Sequence, residues 1–232
     1  MADQPGPVTA APAGSGRADG AGPLSLAALR GATLERTPWA HAVIPDAFTD
    51  PGDLSMLLAT YPTDGFKQIH QDTPDSPLIE VRNSMTLPGV DASHPWGRLL
   101  AQLASAQYRE ALQDLTGLDL DGAPFKPAFY RYPPTFRLSP HRDHDSKLIS
   151  HVLYFNRIWP QGAGGRLLIN YTSQATDIHT TVSPVAGTSV VIVRSDDSWH
   201  CIEPVSGEHT MPRRSLVLHV HKPGSDVSFY DH

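Results

Sequence analysis

From residue 124 onward, apolar and polar positions alternate in short runs: KPAFYRY, TFRLSPH, LISHVLYFN, GRLLIN, HTTVS, TSVVIVR, WHCIEPV and RRSLVLHV. A period of two marks a strand, because successive side chains point to opposite faces. Gly, Pro, Asn, Asp and Ser separate the runs, as turn chemistry requires. About eight short strands with no helix between them predict a β-sandwich or jelly roll.

The pattern before residue 124 is helical. PLSLAALRG, 23–31, predicts a short helix. DPGDLSMLLATYP, 50–62, predicts another, with Asp50 as N-cap, Pro51 at its first position and a proline stop. SHPWGRLLAQLASAQYREALQDLTG, 93–117, is the strongest helical pattern. Trp96, Leu99, Leu100, Leu103, Leu112 and Leu115 fall near one face, Ser93 can cap it and Gly117 can end it. Residues 1–23 contain 15 Ala, Gly or Pro, bury little and are expected to be disordered. The expected organisation is a tail, 1–23, and one domain, 24–232. Within it, a helical support region, 24–123, covers one sheet of a jelly-roll core, 124–232. The fold is thus mainly β with N-terminal helices.

Composition narrows the function. A formal net charge of −6 gives no reason to expect nucleic acid or an anionic membrane as a partner. The one cysteine, Cys201, excludes an internal disulfide. No apolar run reaches the ~20 residues that span a bilayer. The N-terminus lacks the basic start and apolar core of a secretory signal, so a cytoplasmic protein is expected.

The chemistry-bearing stretch is LSPHRDHDSKLISHVLYFN, with two His and two Asp between His141 and Asp145. Buried charge is costly unless paired or bound to a metal, so this is either a solvated turn or a metal site. In an extended strand His141 and Asp143 share a face. A second His-x-Asp, His70 and Asp72, sits in a proline-rich loop and reads as a solvated turn. The best third ligand is His200, which opens a strand-like run after the turn SDDS. Two His and one carboxylate suit the open facial site of non-haem Fe(II) oxygenases, and also catalytic zinc.

Further elements follow in order: Tyr132-Pro133, His141-Arg142-Asp143, Tyr154-Phe155-Asn156, Trp159, Gly164-Gly165-Arg166-Leu167, His200 and Arg213-Arg214-Ser215. In this order and spacing the run 130–218 resembles the 2-oxoglutarate- and Fe(II)-dependent dioxygenases, in particular their prolyl-hydroxylase-like branch. The resemblance implies a double-stranded β-helix, the cupin-like jelly roll. It implies that His141, Asp143 and His200 ligate Fe(II), and that Arg213 pairs with the far carboxylate of 2-oxoglutarate. Strand alternation favours Arg213, on one face with Ser215, Val217 and His219, over Arg214, on the face of Leu216, Leu218 and Val220. Arg214 remains the fallback. Tyr154, Tyr132 and Ser215 would complete the 2-oxoglutarate pocket. Trp159 and the two glycines would shape a turn. His144 and Asp145 could orient the ligands, while Arg142 and Cys201 point away.

The implied activity is O2-dependent hydroxylation of an unactivated C–H bond, with release of succinate and CO2 and with ascorbate as a candidate reductant. The carboxylate at Asp143 argues against halogenation. A small molecule, such as an amino acid or biosynthetic intermediate, is the expected substrate, with Arg82, Arg131 or Arg137 as candidate anchors for a carboxylate or phosphate. A peptidyl proline, a silent metal-binding jelly-roll sensor and a zinc hydrolase are the alternatives. Oligomeric state is open.

Overall fold

The computed structural model describes residues 22–69, 79–83, 91–206, 208 and 211–228, with backbone alone for 68–69 and 79–83. The elements are α1 (Leu26–Gly31), β1 (His41–Ile44), α2 (Pro51–Ala59), β2 (Lys67–Ile69), β3 (Ile79–Asn83), α3 (Pro95–Leu103), α4 (Ala106–Thr116), β4 (Phe125–Tyr132), β5 (Leu138–His141), β6 (Lys147–Tyr154), β7 (Leu167–Asn170), β8 (Ile178–Val182), β9 (Ser189–Val193), β10 (His200–Ile202) and β11 (Arg213–His221). All eight strands expected after residue 124 form.

They divide into two antiparallel sheets, a jelly roll. The larger sheet runs β1-β9-β6-β11-β4-β3-β2 and the smaller β5-β10-β7-β8. Strand β11 lies at the centre of the larger sheet, and its nine residues are almost all buried. Leu216, Leu218 and Val220 pack with helix residues such as Trp96, Leu99 and Leu112. Val217 faces the other way, into the space between the sheets, with Tyr130, Val152 and Ile202. The helices therefore close one face of the larger sheet, and the opposite face is left for the site. Burying each large apolar side chain there stabilises the fold by about 1.5–3 kcal/mol.

The N-terminal region departs from expectation in two ways. It contributes strands as well as helices: β1 pairs with β9, and β3 pairs with β4, widening the larger sheet. These runs are only three to five residues long, too short for a period to stand out. The helix expected over 93–117 is two helices. The Ala104 N–H bonds back to Leu100 O at 3.2 Å to close α3, and Ser105 Oγ accepts from Tyr108 N at 3.2 Å to open α4. Serine satisfies free N–H groups at a helix start better than it serves a helix interior. The N-cap of α3 is His94, whose Nδ1 accepts from Trp96 N, and Ser93 instead bonds Asp91. Asp50 caps α2 as expected, accepting from Gly52 and Asp53 N, and Gly117 ends α4 in the left-handed conformation with φ +73°. No described helix is long and apolar enough to cross a membrane. The tail up to residue 21 and the His70–Asp72 pair lie outside the described residues.

Candidate active site

His141 ends β5 and His200 opens β10, and the two are direct ladder partners. Their rings stand 4.3 Å apart, centre to centre. Asp143 follows two residues after β5. One ligand atom from each of His141, Asp143 and His200 lies within 4.8 Å of the others, and no other such group of three exists among the described residues. Both histidines are held alike: His141 Nδ1 lies 3.0 Å from Ser139 O and His200 Nδ1 lies 2.9 Å from Ser198 O. A carbonyl only accepts, so each Nδ1 carries a proton, and Nε2 is the nitrogen left to face a metal. This is the tautomer a metal needs. Burial, with help from the neighbouring His200, pushes His141 down to about 3, so it stays neutral.

Asp143 is buried and both its oxygens are engaged. Lys147 Nζ lies 2.7 Å from Oδ1 and Ser150 Oγ donates to Oδ2 at 2.7 Å. Burial pushes the carboxyl up, but the Lys147 ammonium outweighs it and holds the group well below its ordinary range. Ser150 has one hydroxyl proton, and Asp143 receives it. Ser150 Oγ must then accept from His219 Nδ1, 2.7 Å away. Burial keeps His219 neutral, so its Nε2 accepts from the Tyr130 hydroxyl at 3.3 Å. The chain Tyr130–His219–Ser150–Asp143 thus has one direction of donation throughout. Tyr130, His219 and Ser150 sit on β4, β11 and β6, Asp143 in the loop after β5, and His219 and Ser150 are ladder partners.

Arg213 lies deeper in the same cavity, 2 % exposed. Its Nε donates to Gly165 O at 2.9 Å, and its guanidinium carbon stands 5.0 Å from the ring centre of Tyr132 and 4.9 Å from that of Tyr154. No carboxylate pairs with it among the described residues. Beside it, the Tyr154 hydroxyl and Ser215 Oγ are buried without a hydrogen-bond partner. A buried cation flanked by two orphaned polar groups fits a bound anion with oxygens. Burial raises the Tyr132 phenol to about 12, against the pull of Arg213, so it stays protonated. The cavity measures about 930 Å³ and holds both this group and the His–Asp–His group.

All seven residues expected to build the site line this one cavity. Arg214 lies on the opposite face, its guanidinium 5.5 Å from the Tyr61 ring centre. The glycine pair stands closer to the site than a mere turn, since Gly165 O holds Arg213. The candidate substrate arginines fare differently. Arg131 alternates away from Tyr130 and Tyr132, bonding Thr63 O and stacking on Phe66. Arg137 is exposed and does not line the cavity. The side chain of Arg82 lies outside the described residues. His144 and Asp145 are exposed, one bonded to Ser146 and the other to Arg194, so neither touches a ligand. That task falls to Ser150, with His219 and Tyr130 behind it, none of which the sequence reading singled out for it. Alternation along β6 from Tyr154 could have found Ser150. Cys201 is buried away from the cavity, its Sγ 3.4 Å from Asn170 Oδ1.

Residues 127–221 match the family model of the 2OG-Fe(II) oxygenase superfamily. Among solved structures, the chain is similar to a Pseudomonas putida prolyl-4-hydroxylase, with 25% identity, a TM-score of 0.60 and coverage of 84% of this chain and 98% of that one. It is also similar to a Trichoplax adhaerens prolyl hydroxylase in complex with a hypoxia inducible factor peptide fragment (14% identity, TM-score 0.60, coverage 83% and 89%). A third is the non-heme alpha ketoglutarate dependent epimerase SnoN from nogalamycin biosynthesis (14% identity, TM-score 0.52, coverage 89% and 87%). The last two likenesses speak to the fold alone. No curated protein matches the sequence significantly. Residues 127–221 thus carry the pattern of the 2OG-Fe(II) oxygenase superfamily, on a fold shared with the prolyl-4-hydroxylase.

Proposed function

We propose that the protein hydroxylates an unactivated C–H bond of a small molecule, holding Fe(II) on His141, Asp143 and His200 and 2-oxoglutarate against Arg213. The observation that carries this is the buried Arg213 without a carboxylate partner among the described residues, in one cavity with the His–Asp–His group. A metal-stabilised sensor has no use for such an arginine, and a zinc hydrolase does not need it.

The residues fit the cofactors chemically. Two imidazoles and one carboxylate leave open positions on an Fe(II) ion. The Arg213 fork suits a carboxylate, and Tyr154 Oη and Ser215 Oγ lack the partner that such a carboxylate would give them. Tyr132 covers the guanidinium and keeps it from water. Bound Fe(II) with 2-oxoglutarate supplies O2-driven decarboxylation of the oxo acid to succinate and CO2, coupled to oxidation of the substrate. The surrounding residues position the groups, exclude water and hold Asp143 ionised. Ascorbate serves as reductant for iron lost to oxidation.

The test is succinate release under O2 with Fe(II), ascorbate and 2-oxoglutarate. Wild type should release succinate in an Fe(II)-dependent way, faster with substrate, and Arg213→Ala should not. Equal release by both would contradict the proposal. The likeness to a prolyl-4-hydroxylase favours a second reading, a peptidyl proline, so a proline peptide belongs among the candidate substrates.

A further inference from the structure

Once Asp143 is assigned to the metal and Arg213 to the oxo acid, the cations of the cavity no longer balance. Arg194 pairs with Asp145 and Asp196. Arg142 stacks on Trp199, 4.8 Å from its ring centre, with Asp196 nearby. Lys147 is different. It opens β6, its side chain is 15 % exposed, and its one carboxylate partner among the described residues is Asp143. Asp226 also lines the cavity, but it is exposed at the rim and accepts from Ser228 N. A divalent cation on Asp143 would sit next to the Lys147 ammonium and repel it. A mostly buried ammonium needs a counter-anion.

We infer that Lys147 is the anchor for a carboxylate of the substrate. This rests on the oxygenase reading and deepens it by naming the substrate class. The charge to be met is one, and lysine offers a single compact charge, which suits a carboxylate better than a phosphate dianion. The neighbouring His221 gives no second cation, since burial, together with Lys147 itself, lowers it to about 4. Position matters as much as charge. Lys147 Nζ already lies 2.7 Å from an oxygen of Asp143. A carboxylate held there is within a few bond lengths of a metal on that same residue. The carbon that reacts would therefore lie close to the carboxylate. The substrate is a short carboxylic acid, such as a free amino acid, and not an internal residue of a peptide, which presents an amide at that point.

The experiment uses matched probes: free amino acids and unbranched C4–C6 carboxylic acids, each beside its primary amide. Succinate release is measured with full-length wild type, Lys147→Met and Lys147→Arg. The visible band of the anaerobic Fe(II)–2-oxoglutarate complex is recorded on the same preparations. At least one acid should stimulate wild type at least fivefold while its amide does not. Lys147→Met should lose at least tenfold in kcat/KM for that acid, mainly through KM, and Lys147→Arg should regain part of it. Amides as effective as acids, no acid effective, or an unchanged KM in Lys147→Met would each overturn the inference. Loss of the band in Lys147→Met would also overturn it, placing the lysine in the service of the metal site. A wild type without the band would instead overturn the underlying oxygenase reading.

Discussion

Replacing Ser150 with alanine removes one hydroxyl from the floor of the cavity, and its consequence can be worked from the geometry. Ser150 Oγ donates to Asp143 Oδ2 at 2.7 Å and accepts from His219 Nδ1 at 2.7 Å. Both partners are buried. A hydrogen bond to a charged group contributes about 1.5–3 kcal/mol. Without it the Asp143 carboxylate is anchored by Lys147 alone and swings toward that ammonium, away from the imidazoles. The expected loss in Fe(II) affinity is about 10- to 100-fold, the usual range when a group that orients a metal ligand is removed. Anaerobic Fe(II) titration reads this directly, and Co(II) titration offers a second spectroscopic signal. Ser150→Thr keeps the hydroxyl and suits a strand, so it should stay within about threefold of wild type. Circular dichroism would establish that both variants fold. A folded Ser150→Ala protein with wild-type Fe(II) affinity would refute the reasoning, because the chain from Tyr130 to Asp143 would then orient nothing.

Two more outcomes follow from the fold. Gly164 has φ +65°, and a Cβ there would meet Pro204 O at 1.9 Å. Gly164→Ala should lower stability by more than ~2 kcal/mol, while Gly162→Ala, at φ +86° with open space around it, should cost only about 1 kcal/mol of backbone strain; denaturant midpoints compare the two. Acid sensitivity is the other outcome. Burial lowers His141 and His151 to about 3 and His221 to about 4. The unfolded chain binds protons at these positions below about 6.5 and the folded chain does not, so their contribution is present above pH 6.5 and is lost as pH falls toward 4. At pH 5.5 each histidine removes about 1.4 kcal/mol, and the metal-free protein should unfold at clearly lower urea than at pH 7.5. An unchanged midpoint would count against buried neutral histidines.

The strand half of the molecule was legible because its signals are local and periodic. Alternation in RRSLVLHV put Arg213 and Arg214 on opposite faces of β11, as the structure has them, since one face must meet the helices and the other the cavity. The His–Asp–His group was legible from motif spacing, although the ladder that pairs His141 with His200 joins residues far apart in sequence. What stayed hidden depends on such long-range pairing. Ser150 and His219 are ordinary strand residues until register places them opposite each other. Lys147 carries no motif, and only its place at the start of β6 brings it to the cavity. The short edge strands β1 and β3 are stabilised by β9 and β4, not by their own pattern. The break at Ala104–Ser105 shows a local cap overriding a helical period that looks continuous.

The central claim is that one cavity binds Fe(II) and 2-oxoglutarate together, and anaerobic visible spectroscopy of the complex tests it most directly. Adding both to the apoprotein should produce the weak charge-transfer band of the chelate. His200→Ala should abolish it and Arg213→Ala should greatly raise the 2-oxoglutarate concentration it requires. Arg214→Ala, on the other face of β11, should retain it. A protein that binds Fe(II) yet shows no band with 2-oxoglutarate, or whose band survives Arg213→Ala at the same concentration, would contradict the account.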